Sequence, residues 1–292
     1  MNRLMVSALA LAAVLTLPVF AKESKWIGPA TGGSYSDEAN WDNGVPGPGD
    51  VAVFDSATET SNTGKSPDCG SLGLTIRNSA AVTLNMRIIG SGPFIKQGTG
   101  ELTYKAYNYN YTGGLRVEEG SFVLTLTGST MSNEGLSGTK SKTVFSKTPI
   151  TVTDSGIFKA NTWNSEVDNE IIVTNHISGV AIQSNGPTTW SGSIRGYGDF
   201  TFANTYEAMK VGSSISAPGH TVTMTAPNWN WKSNQLSGVV DADLVLSMEN
   251  DTLQITAKSP SPGNTLTVKS AKIEMSGSAT WGGMVVVKNG GK

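Results

Sequence analysis

From about residue 50 onward the chain is built of short runs in which apolar and polar positions alternate. A period of two belongs to a strand that turns one face to a core and the other to water. In the first half the predicted strands are Val51-Ala-Val-Phe54, Leu72-Gly-Leu-Thr-Ile76, Val82-Thr-Leu84, Leu115-Arg-Val117, Phe122-Val-Leu-Thr-Leu126 and Ile150-Thr-Val152. The second half continues with Ile171-Ile-Val173, Thr221-Val-Thr-Met224, Leu244-Val-Leu246, Leu253-Gln-Ile255, Leu266-Thr-Val268 and Met284-Val-Val-Val287. Between them lie Gly98-Thr-Gly100, Thr225-Ala-Pro-Asn228 and Ser259-Pro-Ser-Pro-Gly-Asn264, the residues that tight turns select. No mature segment shows a helical period, so the predicted class is all-β. Two architectures suit such strands: a β-sandwich or jelly roll, and a β-solenoid with stacked coils.

Composition shifts the balance. Charged residues are 15% of the chain and glycines number 34 of 292, against a usual charged share of about a quarter. Ser, Thr and Asn therefore meet most of the water. With Gly-rich turns and Asn-containing corners, this favours the solenoid, whose ends need caps because an open coil is a sheet edge. Lys and Arg number 21 against 23 Asp and Glu, a balance that argues against nucleic acid as a partner.

The first residues read as a secretory leader: Arg3, an apolar run from Leu4 to Leu17, then Pro18-Val19-Phe20-Ala21, with cleavage expected after Ala21. The competing reading is a membrane anchor, but the run falls short of the roughly 20 residues a bilayer requires. No transmembrane segment is expected in the mature chain, which is placed outside the cell or on its surface. The expected organisation is a leader over 1–21, an N-terminal β cap over 22–60 and a solenoid-like domain over 61–292. The lone Cys69 has no disulfide partner and reads as a small buried side chain.

Residues 98–124 run Gly-Thr-Gly-Glu-Leu-Thr-Tyr, later Tyr111-Thr-Gly-Gly114, then Val117, Gly120 and Leu124, with Lys96 just ahead. Leu102 and Tyr104 share a face, Gly113-Gly114 permits a corner with φ > 0, and Gly120 permits the next. This segment resembles the autotransporter-associated β-strand repeat, which implies a right-handed β-helix. A second likeness to the opening of exported bacterial proteins with such repeats lies in Trp26-Ile-Gly28, Asn40-Trp41, Pro46 to Asp50 and Val53-Phe54-Asp55. It implies that Trp26 and Trp41 cover the first coil. The membrane barrel of an autotransporter is not expected, since the chain ends Val285-Val-Val-Lys-Asn-Gly-Gly-Lys292.

Candidate chemistry is sparse. The two histidines, His176 and His220, stand without a second ligand at metal spacing. The acidic groups Asp37-Glu38, Asp50, Asp55, Glu118-Glu119 and Asp241-x-Asp243 match no calcium loop and read as turn caps. No catalytic residue, metal site or cofactor is expected. The speculative ligand site is aromatic: Tyr107, Tyr109 and Tyr111 alternate with asparagines, as do Trp229 and Trp231. Ring faces beside amides suit sugars, whose C–H faces stack while hydroxyls bond the amides; the competing role is core filling. The expected function is a non-enzymatic structural or adhesive module, with polysaccharide or cell-envelope components as partners. The alternative is a carbohydrate-binding protein, or a polysaccharide lyase or hydrolase, on the same coils.

Overall fold

The computed structural model describes residues 21–105, 111–126, 141–143, 145, 148–162, 165–177, 179–205, 209–226, 234–248, 252–259, 261–270, 272–277 and 279–288. They form a parallel β-solenoid of about nine turns. Among them the one helical element is the 3-10 turn Glu38–Asn40, begun by Asp37, whose carboxylate accepts from the Ala39 amide. Every strand pairing is parallel, and an isolated antiparallel bridge joins Trp26 to Trp41. Sandwiches and jelly rolls need antiparallel ladders, so the parallel register excludes them.

The coils contribute strands to three columns, the third only from Ser141 onward among the described residues. The first rises through Glu23–Lys25, Val51–Phe54, Leu74–Asn78 and Phe94–Gln97 into the start of Leu115–Leu126 and of Ile150–Thr162, then Ile171–Thr174 and Ile194–Gly196. The second includes Val82–Leu84, Glu101–Tyr104, the end of Leu115–Leu126, Val180–Ser184, Phe200–Asn204 and Leu266–Val268. The third runs from Ser141–Thr143 to Lys272–Met275. Four strands, Leu115–Leu126, Ile150–Thr162, Ile215–Ala226 and Val240–Met248, run through the corner between the first two columns and fuse them into one sheet.

In-register pairing places like over like. Leu74, Phe94, Leu115, Ile150, Ile171, Ile194, Ile215 and Val240 succeed one another up the first column, all buried. Each such side chain contributes about 1.5–3 kcal/mol by leaving water. In the second column Tyr104 stacks on Phe122 at 6.1 Å and Phe122 on Phe158 at 6.3 Å. The lowest coil is covered by Trp26, whose ring lies 5.1 Å from Trp41 and 5.7 Å from Phe54. Both indole N–H groups are satisfied, by the carbonyls of Pro29 and Tyr35. At the other end Val285 and Val287 continue the columns of Leu266 and Val268, yet are 50% and 58% exposed.

The corners follow two rules. Gly98 and Gly120 take positive φ, +79° and +65°, where a side chain is strained. The expected φ > 0 corner at Gly113-Gly114 is not observed, since neither glycine lies in that region. Close approach replaces torsion as the reason at Gly113: a Cβ there would lie 2.0 Å from the Gly92 carbonyl oxygen and 2.6 Å from the Tyr111 ring. Gly114 has open space, with nothing nearer than 3.5 Å.

Lys96 is fully buried, stacked between Ile76 and Val117 in the first column. Its ammonium donates to the carbonyls of Gln97 and Gly98 in its own corner and of Glu119 in the next coil, the last at 2.9 Å. Burial holds its pKa down at about 8, with the Glu119 carboxylate opposing.

Two outcomes are expected. Gly113→Ala should cost about 2 kcal/mol through overpacking against backbone, whereas Gly114→Ala should stay within about 0.5 kcal/mol, both read by denaturant unfolding. For Lys96 the depressed pKa means that the unfolded chain binds the extra proton between about pH 8 and 10.5, so stability rises with pH across that window. Relative to Lys96→Met, the parent should gain up to about 3 kcal/mol between pH 7 and 10.5, at about 1.4 kcal/mol per pH unit; a pH-independent difference would contradict a buried ammonium.

Candidate functional site

Of the five aromatic residues expected to meet a sugar, Tyr107, Tyr109, Trp229 and Trp231 lie outside the described residues. Tyr111 is inside the core, 1% exposed, and its hydroxyl shares its one proton between the Gly92 carbonyl at 2.8 Å and the Gly114 carbonyl at 3.1 Å. Its ring packs edge-on against Phe145 at 5.8 Å. That ring face is closed to a ligand, and burial pushes its phenol pKa well up. Tyr111 ties one coil's corner to the corner below, which is the core-filling role weighed against ligand contact.

The ionisable groups singled out from the sequence hold turns and coil contacts. Asp243 accepts from the Thr265 amide at 2.6 Å and Glu119 from the Gly98 amide at 3.1 Å, each reaching an adjacent coil. Glu118 pairs with Arg116 at 2.8 Å and Asp55 with Lys25 at 2.9 Å. His176 Nε2 lies 3.2 Å from the Gly156 carbonyl oxygen, and His220 Nδ1 lies 3.7 Å from Asp199. Among the described residues no three His, Cys, Asp or Glu side chains gather as a metal site. Cys69 is buried, and burial pushes its thiol up to about 12, so it stays protonated.

One surface groove among the described residues, of about 450 Å³, lies where Ile194–Gly196 meets the corner of Ile215–Ala226. Tyr197, 63% exposed, stands at one rim, and His220 lies beyond Pro218 and Gly219 in the next coil. Gly196 creates the turn's shape: a Cβ there would lie 2.6 Å from the Phe200 ring, which fills the core in its place. Arg195 points outward from the strand, its Nε held by Glu170 at 2.8 Å, which fixes the guanidinium while leaving its other N–H groups unassigned. Ser193, Ser214 and Ser216 add hydroxyls along the floor.

The corner presents an exposed ring, a guanidinium held by an ion pair and a row of hydroxyls, groups that stack and hydrogen-bond. Apart from His220, none of these residues stood out in the sequence. Tyr197 and His220 come together only because they occupy the same corner of successive coils, and the coil register is what sequence periodicity leaves open. Compared with family models, curated proteins and solved structures, the chain matches none. No match confirms the likeness of residues 98–124 to the autotransporter-associated repeat; the structure shows a parallel β-solenoid, consistent with a β-helix. Among the described residues no helix is long and apolar enough to cross a membrane.

Proposed function

We propose that the chain is exported and serves as a non-enzymatic structural or adhesive solenoid at the cell surface or in the surrounding matrix. The observation that carries this is the unbroken parallel stack of about nine turns. At about 4.8 Å per rung it forms a rod on the order of 43 Å long. Its outward columns mix polar and apolar positions: Thr75, Arg116 and Thr151 stand with Ile95 and Ile172 in the first, and Thr83, Thr103, Lys159 and Gln183 with Val123 and Ala203 in the second. Ion pairs such as Lys159 with Glu101 and Lys105 with Glu59 cross between coils on this surface. Such a body offers area and rigidity. The leader motif at 1–21 supports export, and the repeat-like segment supports a passenger-like role.

A second reading, a carbohydrate-binding solenoid, is favoured by the groove at Tyr197. There the rigid coils would hold the ring, the guanidinium of Arg195 and the serine hydroxyls in fixed relation, so that binding needs little ordering.

Incubation of the processed protein with plant, algal and host polysaccharides, followed by assays for new reducing ends and unsaturated uronates, tests both. No turnover of any polymer is the expected result, and release of either product would overturn the non-enzymatic assignment. Binding without turnover that falls at least tenfold in Tyr197→Ala, with unchanged melting, would select the carbohydrate-binding reading.

A further inference from the structure

The ladder begins at a single residue. The Lys22 carbonyl accepts from the Val51 amide at 2.8 Å, and the pairing of Glu23 with Val51 follows at once. The Lys22 backbone nitrogen points at the Asp50 carboxylate, 3.0 Å from Oδ1. The other carboxylate oxygen accepts from the Gly47 amide at 2.9 Å, which closes the Pro-Gly-Pro-Gly turn, and lies 3.7 Å from the Lys22 ammonium. That ammonium also donates to the Val45 carbonyl at 3.1 Å. Asp50 keeps 15% of its side chain exposed, so this carboxylate sits in a sheltered notch.

The leader motif expects cleavage of the Ala21–Lys22 bond, which would make this same nitrogen the new chain terminus. We propose that Asp50 is the docking site for the α-ammonium released by leader removal, so that processing locks the first strand and the tryptophan cap onto the first coil. Hydrolysis adds water across the amide, leaving a carboxylate on Ala21 and an amine on Lys22 that takes up a proton at neutral pH. One neutral N–H donor becomes a full positive charge with three N–H donors, one of them aimed at the same oxygen. The amide bond to this carboxylate is already charge-assisted through its acceptor, and the new charge on the donor converts it into an ion pair in a sheltered notch. The inference depends on the export reading for the cleavage itself, but the clamp can be tested on a chain that was never exported.

The other charged group close to the notch is Glu38, whose Oε1 lies 3.8 Å from the place a Cβ on Gly44 would occupy, with the Lys22 ammonium 3.7 Å from it. Tyr35 faces Asp50 from the core side and is held neutral by burial. Pairing with Asp50 raises the α-amine above its ordinary value of about 7.7–8.0. Its stabilisation is therefore complete below that range and lost as pH rises through the folded value.

The test compares a chain whose first residue is Lys22, released from a tag by a protease that leaves nothing behind, with one carrying Ser-Gly ahead of Lys22. Each is made with and without Asp50→Asn. At pH 7 the chain beginning with Lys22 should melt several degrees higher, and the advantage should vanish above about pH 10. In Asp50→Asn it should be absent. Acylation of the terminal amine at pH 8 should be at least threefold slower in the chain beginning with Lys22 than in the extended one, a readout that needs no variant to fold. Equal melting at pH 7, an advantage that survives Asp50→Asn, or equal acylation would overturn the clamp. N-terminal sequencing of material recovered from outside a bacterial host should read Lys22 first; a different first residue would overturn the link to processing, whereas absence of exported protein would count against the export reading alone.

Discussion

Parallel, in-register pairing between successive coils is the constraint from which the other features follow. A strand inside such a stack turns successive residues to opposite sides, the Leu74 amide to the Pro93 carbonyl of the next coil and the Thr75 amide to the Asp50 carbonyl of the one before, so backbone satisfaction requires each coil to repeat the path of its neighbour. Side chains must then stand in columns. An inward position holds Leu74, Phe94, Leu115, Ile150 and Ile171 in turn, and the core is a set of continuous apolar threads. Corners must stack as closely as strands, which is why Gly113 sits against the Gly92 carbonyl and why Gly120 sits over Gly98. Where a column receives a charge, at Lys96, three corner carbonyls supply what water would have given.

Much of this was legible from the chain. Val51–Phe54, Val82–Leu84 and Leu266–Val268 fall at the bounds their alternation indicates. The runs Leu115 to Val117 and Phe122 to Leu126 are two halves of one strand, Leu115–Leu126, because Gly120 at φ +65° turns the backbone without ending its ladder. Lys96 shares the parity of Phe94, but alternation alone sends a lysine to water; its neighbours Ile76 and Val117, distant in sequence, decide the matter. Tyr111 resembled a ligand contact because it is flanked by polar residues. Its burial follows from a hydroxyl that reaches two corner carbonyls, which requires the coil below to be in place. The groove at Tyr197 was illegible for the same reason: its two sides belong to different coils.

The ends and faces of the rod differ in character. Trp26, Trp41 and Phe54 close the first coil with packed rings, and Asp50 gathers the Gly47 turn and the first rung at one carboxylate. The faces carry hydroxyls, amides and paired charges, with single apolar side chains such as Leu72 and Ile177 among them. Stability in a stack of this kind is a sum over coils and the interfaces between them. The surface groups of Tyr197, Arg195 and His220 therefore inherit their positions from coils that would fold without them.

The stacked-coil geometry is tested most directly by distances along the rod. Spin labels on cysteines placed at Thr103 and at either Thr225 or Ser247, in a Cys69→Ala background, share one outward column through Val123, Lys159, Gln183 and Ala203. At about 4.8 Å per rung, pulsed electron paramagnetic resonance should give about 24 Å for the Thr225 pair and about 29 Å for the Ser247 pair. Two similar short distances of about 10–15 Å, as facing sheets of a sandwich would produce, would contradict the solenoid.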